Sequence, residues 1–423
     1  MALNTNVARV VGLLFVLALI HQIYPFLPSG SPTLPNRVLN FPNPFSHLNQ
    51  GLLPWYKRPH DRVGAPAFDT EYSWTTEHLS DQERRELQDR MVRVADAVAR
   101  ERFGDAYDNA IPGSRLSNAS VASFRERLQC WTQRGRWVRQ RAPLLPHFQD
   151  PLYGRCDRKQ GTDRDAVQYA WMTPPECPLA PIDASQWCGA VGRRKILLVG
   201  DLVHYQVHEL LLDALRDGPT VCYGELNCKD HTFCTDHSDP PPALRYLRND
   251  VLATNLNIDK AHGHPSVDIV QWPFVPRYLL EDYHIFILNR APVVEDDNTF
   301  LRQLAQTVHT LRRIQPNALI MYRSTSIGHP FCDEASGPLH EPLTDAQLRQ
   351  LPYGWSEQTR RNAMARAVVE AAGGVYVDLA ALTDLRPDGH VGGQDCLRYC
   401  MPGPLDGWAS VLYNVMLSLE KNS

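Results

Sequence analysis

The stretch KILLVGDLVHYQ, residues 195–206, reads as a buried strand that stops at Gly200-Asp201 and opens straight into a helix. A strand-to-helix turn of this kind can present a nucleophile. The residue in that place is Leu202, whose methyl groups have neither a lone pair to attack a carbonyl nor a proton to give away. Near the far end, Asp395-Cys396-Leu397-Arg398 pairs a carboxylate with a guanidinium three residues later. A guanidinium stays protonated at any working pH, so Arg398 accepts no proton, and its natural role at this spacing is an ion pair with Asp395.

Other residues of the right types are scattered between these two places. His204 and His208 stand four apart on the helix after the turn, a spacing that can bind a metal, but no third ligand is evident. Cys222, Cys228, His231, Cys234 and His237 fall at zinc-like spacings, although cysteines in an oxidising compartment form disulfides instead. Ser324 and Ser326 lie close to His329 and could be nominated as a displaced nucleophile, and His390 as a displaced base. Structural hydrogen bonding is the simpler expectation for all four, and neither a metal nor a cofactor is expected.

The elements that must position these residues begin near Arg194. KILLVG (195–200), VDIVQW (267–272), HIFILN (284–289), ALIMYR (318–323) and VYVDL (375–379) are continuous apolar runs, with amphipathic stretches such as Phe300, Leu301, Leu304, Val308 and Leu311 between them. Continuous rather than alternating apolar strands separated by helices predict an α/β fold with a parallel sheet covered on both faces. Ligands of such sheets sit beyond the carboxyl ends of the strands, which places Gly200 to Leu202, Asn289 and Arg323 on one rim.

Upstream, the organisation is different. Residues 7–27, VARVVGLLFVLALIHQIYPFL, hold an unbroken apolar run from Val10 to Ile20 flanked by Arg9 and by Tyr24 and Phe26. With His21 and Gln22 counted as interfacial, about 18 residues are available, near the lower limit for a bilayer span. A cleaved signal peptide is the rival, but no small-x-small cleavage site follows. The expectation is a cytosolic tail at 1–8, a signal-anchor helix at 9–27 and a Pro-rich stem at 28–76. A helical stem region at 77–125 follows, where Ser80 and Glu83 make a capping box and Leu87, Met91, Val94 and Val98 form a stripe. The helix carrying that stripe packs on its own domain or self-associates as a short stalk.

The chain has 423 residues, 43% hydrophobic and 21% charged, with a formal net charge of −4. Both signs are mixed along it, which leaves no electrostatic footprint of a nucleic-acid binder. All ten cysteines, at 130, 156, 177, 188, 222, 228, 234, 332, 396 and 400, lie beyond the apolar segment, and an even number there fits disulfides made in the secretory pathway. Their pairing does not follow from the sequence. Asn118-Ala119-Ser120 is a glycosylation sequon of the same compartment.

Several blocks in order carry a resemblance. They are CWTQRGRWV (130–138), PLYGRC (151–156), GTDRDAVQYAWMTPPECPLAPID (161–183), KILLVGDL, LRPDGH (385–390) and DCLRYCMPGPLDGW (395–408). Together they resemble the trichome-birefringence-like (PC-esterase) group of polysaccharide O-acetyltransferases and their fungal relatives. The resemblance implies a three-layer α/β/α, SGNH-hydrolase-like domain at 191–423, preceded by a disulfide-rich N-terminal extension with a Cys-rich segment at 126–190. In that family a serine after Gly-Asp attacks, and the histidine of a terminal D-x-x-H is its base, oriented by the aspartate. Carried over, these roles fall on Leu202, Arg398 and Asp395, so only the aspartate remains. Gly200, Asp201 and Asn289 are the implied oxyanion donors, with NRAP at 289–292 in place of the family's N-x-G-H, and Arg323 the implied substrate-positioning residue.

The family also has a histidine like His390 and a serine run like 324–326 beside an intact triad, so neither is a replacement. The implied protein is a single-pass type II membrane protein of the Golgi or endoplasmic reticulum with a lumenal body. Its expected partners are a glycan or polysaccharide and an active family member, with the membrane engaged by the N-terminal helix. An active acyltransferase with other catalytic groups is the alternative.

Overall fold

The computed structural model describes residues 76–139, 158–159, 162–215, 221–254 and 269–420, apart from single positions 275, 294, 353 and 394. The expected tail, anchor and stem lie outside these residues, except for Thr76 at the end of the stem. Among the described residues no helix is long and apolar enough to cross a membrane.

The elements that matter run in this order: α1 (Asp81–Phe103), α2 (Val121–Gln133), β1 (Arg136–Arg139), β2 (Tyr169–Met172), α3 (Ala184–Val191), β3 (Ile196–Gly200), α4 (Leu202–Ala214), β4 (Asn227–Thr232), β5 (Ala243–Arg248), β6 (Ile285–Leu288), α5 (Asp297–Ile314), β7 (Leu319–Arg323), α6 (Gln358–Ala371), β8 (Val375–Val377), β9 (His390–Gly392), β10 (Asp395–Tyr399) and α7 (Leu405–Glu420). Six strands form the central sheet in the order β8-β7-β6-β3-β5-β4. All neighbours are parallel except β4, which runs antiparallel to β5 at the edge.

Alternation along the strands divides the interior into two layers. Ile196, Leu198, Leu244, Tyr246, Ile285, Ile287, Leu319 and Met321 face the side where α2, α4 and α7 pack. Their neighbours Leu197, Val199, Leu247, Phe286, Leu288, Ile320 and Tyr322 face α1, α5 and α6. Both faces of the sheet are therefore covered, which is why its strands are apolar throughout and every residue of β3, β6 and β7 is buried. This is the expected three-layer α/β/α architecture.

One expectation is corrected. VDIVQW is not a strand of the sheet: among its described residues only Gln271 bridges, to Asn249 just past β5, and Ile269 packs in a small satellite cluster with Val251, Ala253 and Val293. The places at that end of the sheet go to β5 (ALRYLR) and β4 (NCKDHT). Arginines interrupt the apolar run of the first, and the second is a largely exposed edge, so neither reads as a continuous buried strand.

The helix over 81–103 packs on its own domain, the first of the two expected arrangements. Its capping box forms as expected, and Leu87, Met91, Ala95, Ala99 and Phe103 are buried in the same layer as α5 and α6. The stripe runs through alanines, which let α1 approach closely, while Val94 and Val98 lie at its margin. The cysteines at zinc-like spacings form disulfides, as an oxidising compartment predicts. Cys188–Cys234 and Cys222–Cys228 are disulfides, as are Cys130–Cys177 and Cys332–Cys396. Cys400 is disulfide-bonded as well. Cys156 lies outside the described residues, and Asn118 is exposed in a short 3-10 turn.

Candidate functional site

The rim expected at the carboxyl ends of β3, β6 and β7 assembles as one buried network. Asp201 caps α4, its Oδ1 accepting from the His204 amide at 2.8 Å. The same oxygen accepts from Arg323 Nη2 at 2.8 Å. Asn289 closes the third side: its Oδ1 accepts from the Asp201 amide, and its Nδ2 donates to the Arg323 carbonyl at 3.3 Å and to Thr325 Oγ1 at 3.1 Å. Gly200 is required where the turn meets α4, because a Cβ there would stand 2.8 Å from the His204 ring.

All four implied oxyanion or positioning residues are thus together, and three of them spend polar atoms on each other. Asn289 is fully buried with both amide hydrogens engaged internally. Arg323 is 1% exposed, lies with its guanidinium 5.0 Å from the Trp408 ring, and donates also to the Ser324 carbonyl. Arg290, the first change within NRAP, points away from the turn into a two-pronged pair with Glu295.

His204 completes the network as a neutral ring. Its Nε2 lies 2.9 Å from the Ile287 carbonyl, so that nitrogen carries the hydrogen and Nδ1 accepts from Arg323 Nε at 3.3 Å. Burial, and then the Arg323 charge, push its pKa well down. It has no free nitrogen for a metal, and it shares none with His208.

Across from the turn, β10 carries Asp395 and Arg398. Gln206, one helical turn beyond Leu202, docks this strand with both ends of its amide: Nε2 donates to the Tyr399 carbonyl and Oε1 accepts from the Tyr399 amide at 3.0 Å. Arg398 is thereby held next to the helix that Leu202 begins. Its Nη1 donates to Asp395 Oδ2 at 3.0 Å, the pair that the three-residue spacing predicts.

A second carboxylate was not foreseen from the sequence. Arg398 Nε and Nη2 donate to Glu225 Oε1 and Oε2 at 2.7 and 2.6 Å, a two-pronged pair. Glu225 sits in the loop that the Cys222–Cys228 disulfide closes, and its carbonyl is reached at 3.3 Å by Tyr246, whose hydroxyl also donates to the Asp201 carbonyl. The only sequence signal was a glutamate inside a short cystine loop.

The nominated alternatives are structural. Ser324 Oγ accepts from the Ala380 amide at 2.7 Å, joining β7 to the segment after β8. His329 and His390 are both buried and bonded to each other, Nδ1 to Nε2 at 2.8 Å. His329 Nε2 also meets the Asp384 carbonyl, and His390 Nδ1 the Arg398 carbonyl. Burial lowers both pKa values, that of His329 to about 4. His390 braces the β9–β10 hairpin and stacks on Tyr399, and its Nδ1 lies 3.2 Å from the Arg398 carbonyl.

No protein-family model matches the chain. Among curated proteins it is similar to xyloglucan O-acetyltransferase 2 of Arabidopsis thaliana, 20% identical over 372 residues that cover 74% of this chain and 89% of the relative. Protein trichome birefringence-like 42 of the same plant is 23% identical over 347 residues, covering 72% and 93%. Protein trichome birefringence-like 25 matches a shorter piece, 33% identical over 66 residues. These alignments run nearly the length of the first two relatives, and with the ordered motif blocks and the three-layer sheet they show that the chain is similar to trichome-birefringence-like proteins.

Proposed function

We propose that this chain is a polysaccharide-binding relative of the O-acetyltransferases in which an ion-pair clamp stands in place of the acyl-transfer couple. One observation carries the reading: the residue at the position of the general base is an arginine held by carboxylates on two sides, Asp395 and Glu225. Hydrocarbon at Leu202 leaves no attacking oxygen, and the clamp leaves no proton acceptor. The engaged Asn289 amide supports the same reading, since an oxyanion donor must be free to meet developing charge. Arg398 retains about a quarter of its side-chain exposure, so the clamp remains within reach of a hydroxyl-rich ligand.

The disulfides and the exposed Asn118 support maturation in the secretory pathway. We place the body in the lumen of the Golgi or endoplasmic reticulum, held by residues 9–27 as a type II anchor, where it binds glycan alone or beside an active relative. Protease protection on microsomes tests the anchor: the body should be shielded and the short tail exposed.

The purified chain should show no turnover of an acetyl-ester substrate and no acyl adduct by intact mass, while acetylated and deacetylated xyloglucan or xylan should raise its thermal midpoint. An acyl group found covalently on any residue, or steady ester turnover, would refute the reading. Absence of a shift with every polysaccharide would leave the clamp but remove the binding role.

A further inference from the structure

Behind the cystine loop lies a cluster that the site above does not use. One ligand atom from each of His208, Glu209, Cys222 and Cys228 lies within 4.8 Å of all the others. His208 is fully buried, stacked on Tyr205, with its Nδ1 3.0 Å from Glu209 Oε1. That contact fixes the hydrogen on Nδ1 and leaves a lone pair on Nε2. Nε2 is buried and has no hydrogen-bond partner among the described residues. A buried ring nitrogen without a partner is costly and uncommon, and a carboxylate on the other nitrogen is how metal-binding histidines are oriented.

Cys222 and Cys228 face each other as an isolated antiparallel bridge, Cα atoms 4.0 Å apart, so both sulfurs leave the backbone at the same place beside the ring. Two thiolates bound at about 2.3 Å to one tetrahedral ion stand roughly 3.8 Å apart. Rotation of the side chains reaches that spacing while the backbone stays in place. As a disulfide the sulfurs carry no charge and are poor ligands; as thiolates they are strong ones.

We propose that His208, Cys222 and Cys228, with Glu209 as orienting or fourth ligand, form a zinc-type metal site that exists only while the Cys222–Cys228 disulfide is open. A dithiol reductant supplies the two electrons: one of its thiolates attacks a sulfur of the bridge, the S–S bond breaks, and its second thiol closes the reductant's own disulfide. Two protein thiols result, and binding of a divalent ion releases their two protons to solvent. The metal then closes the same seven-residue loop that the disulfide closed, and that loop carries Glu225 to Arg398. Disulfide and metal are mutually exclusive states of one clasp. The inference is independent of the polysaccharide reading.

A second cluster supplies the comparison. Cys332, Asp333 and Cys396 also gather within the same limit, but no imidazole joins them and Asp333 Oδ1 already accepts from the Gly393 amide at 2.7 Å. Reduction there yields two thiols without a nitrogen ligand.

The test uses the full chain, reduced with a dithiol that is removed under nitrogen before titration with cobalt(II), whose thiolate complexes absorb in the near ultraviolet. The reduced chain should bind its first equivalent with a thiolate charge-transfer band, and the oxidised chain should show none. His208→Gln should weaken this binding at least about tenfold, Cys222→Ser with Cys228→Ser should abolish it, and Cys332→Ser with Cys396→Ser should leave it intact. Equal binding by the Cys222→Ser, Cys228→Ser variant, or no band in the reduced chain, overturns the site. Should full reduction unfold the chain, partial reduction with zinc(II) present and alkylation mapping replaces it. Zinc must then shield Cys222 and Cys228 more than Cys332 and Cys396, and equal shielding also overturns the proposal.

Discussion

Two arginines mark the site, and truncating each should have very different consequences. Arg323 is 1% exposed and pairs with Asp201, itself 4% exposed, in a pocket that also holds His204, Asn289 and Trp408. Arg323→Ala leaves the Asp201 carboxylate buried with one backbone donor, the His204 amide, and opens a void under Trp408. Removing one partner of a buried ion pair costs about 3–5 kcal/mol, because the other charge stays desolvated. Arg398 makes more charged contacts, three against one, yet its side chain and that of Asp395 are each 27% exposed. Arg398→Ala lets water reach both carboxylates, and the expected cost is about 1–2 kcal/mol.

Equilibrium urea unfolding with the disulfides intact measures both, read as the shift in midpoint at constant slope. Arg323→Ala should lose at least about twice the stability that Arg398→Ala loses. Similar losses, or a larger one at Arg398, would refute the claim that the clamp is a solvent-accessible feature of the rim and the Arg323 network its buried foundation.

Leu202→Ser with Arg398→His supplies the residue types of the family that the chain resembles but places the new imidazole between Asp395 and Glu225, whose charges hold it protonated. Ester hydrolysis by the double variant should stay near background at pH 7, and adding Glu225→Gln should raise it several-fold; no difference would show that Glu225 does not reach the base position. Glu357 gives a pH test: burial opposes its charge, but Arg360, Arg84 and Arg361 outweigh burial and hold its pKa down at about 2. A carboxylate depressed in the folded state stabilises above its unfolded value and loses that contribution as pH falls toward the folded one. The stability gap between the native chain and Glu357→Gln should therefore shrink by about 3 kcal/mol between pH 4.5 and pH 2, and a constant gap would contradict the assignment. Gly200→Ala drives a methyl against the His204 ring and should destabilise by about 1–3 kcal/mol in thermal unfolding, with replacement of His204 by a smaller residue relieving part of it.

The sequence by itself determined the strands that are apolar on both faces, because a parallel sheet between two helical layers leaves its middle strands no polar side. It determined the turn at Gly200-Asp201, and that Leu202 offers no attacking oxygen and Arg398 no proton acceptor, since those follow from side-chain type alone. The Asp395–Arg398 pair was legible because both partners sit on one short strand. Tertiary structure decided what is set by contacts far apart in sequence. β4 and β5 read as mixed or polar segments and become strands by pairing at an edge, where one side needs no apolar cover. The helix at 81–103 joins the core through alanines that a stripe of large residues does not reveal.

Glu225 meets Arg398 across 173 residues, and Asp201 meets Arg323 across 122. Spacing carries no information about such pairs; only the sheet, by bringing its strand ends to one rim, makes them neighbours.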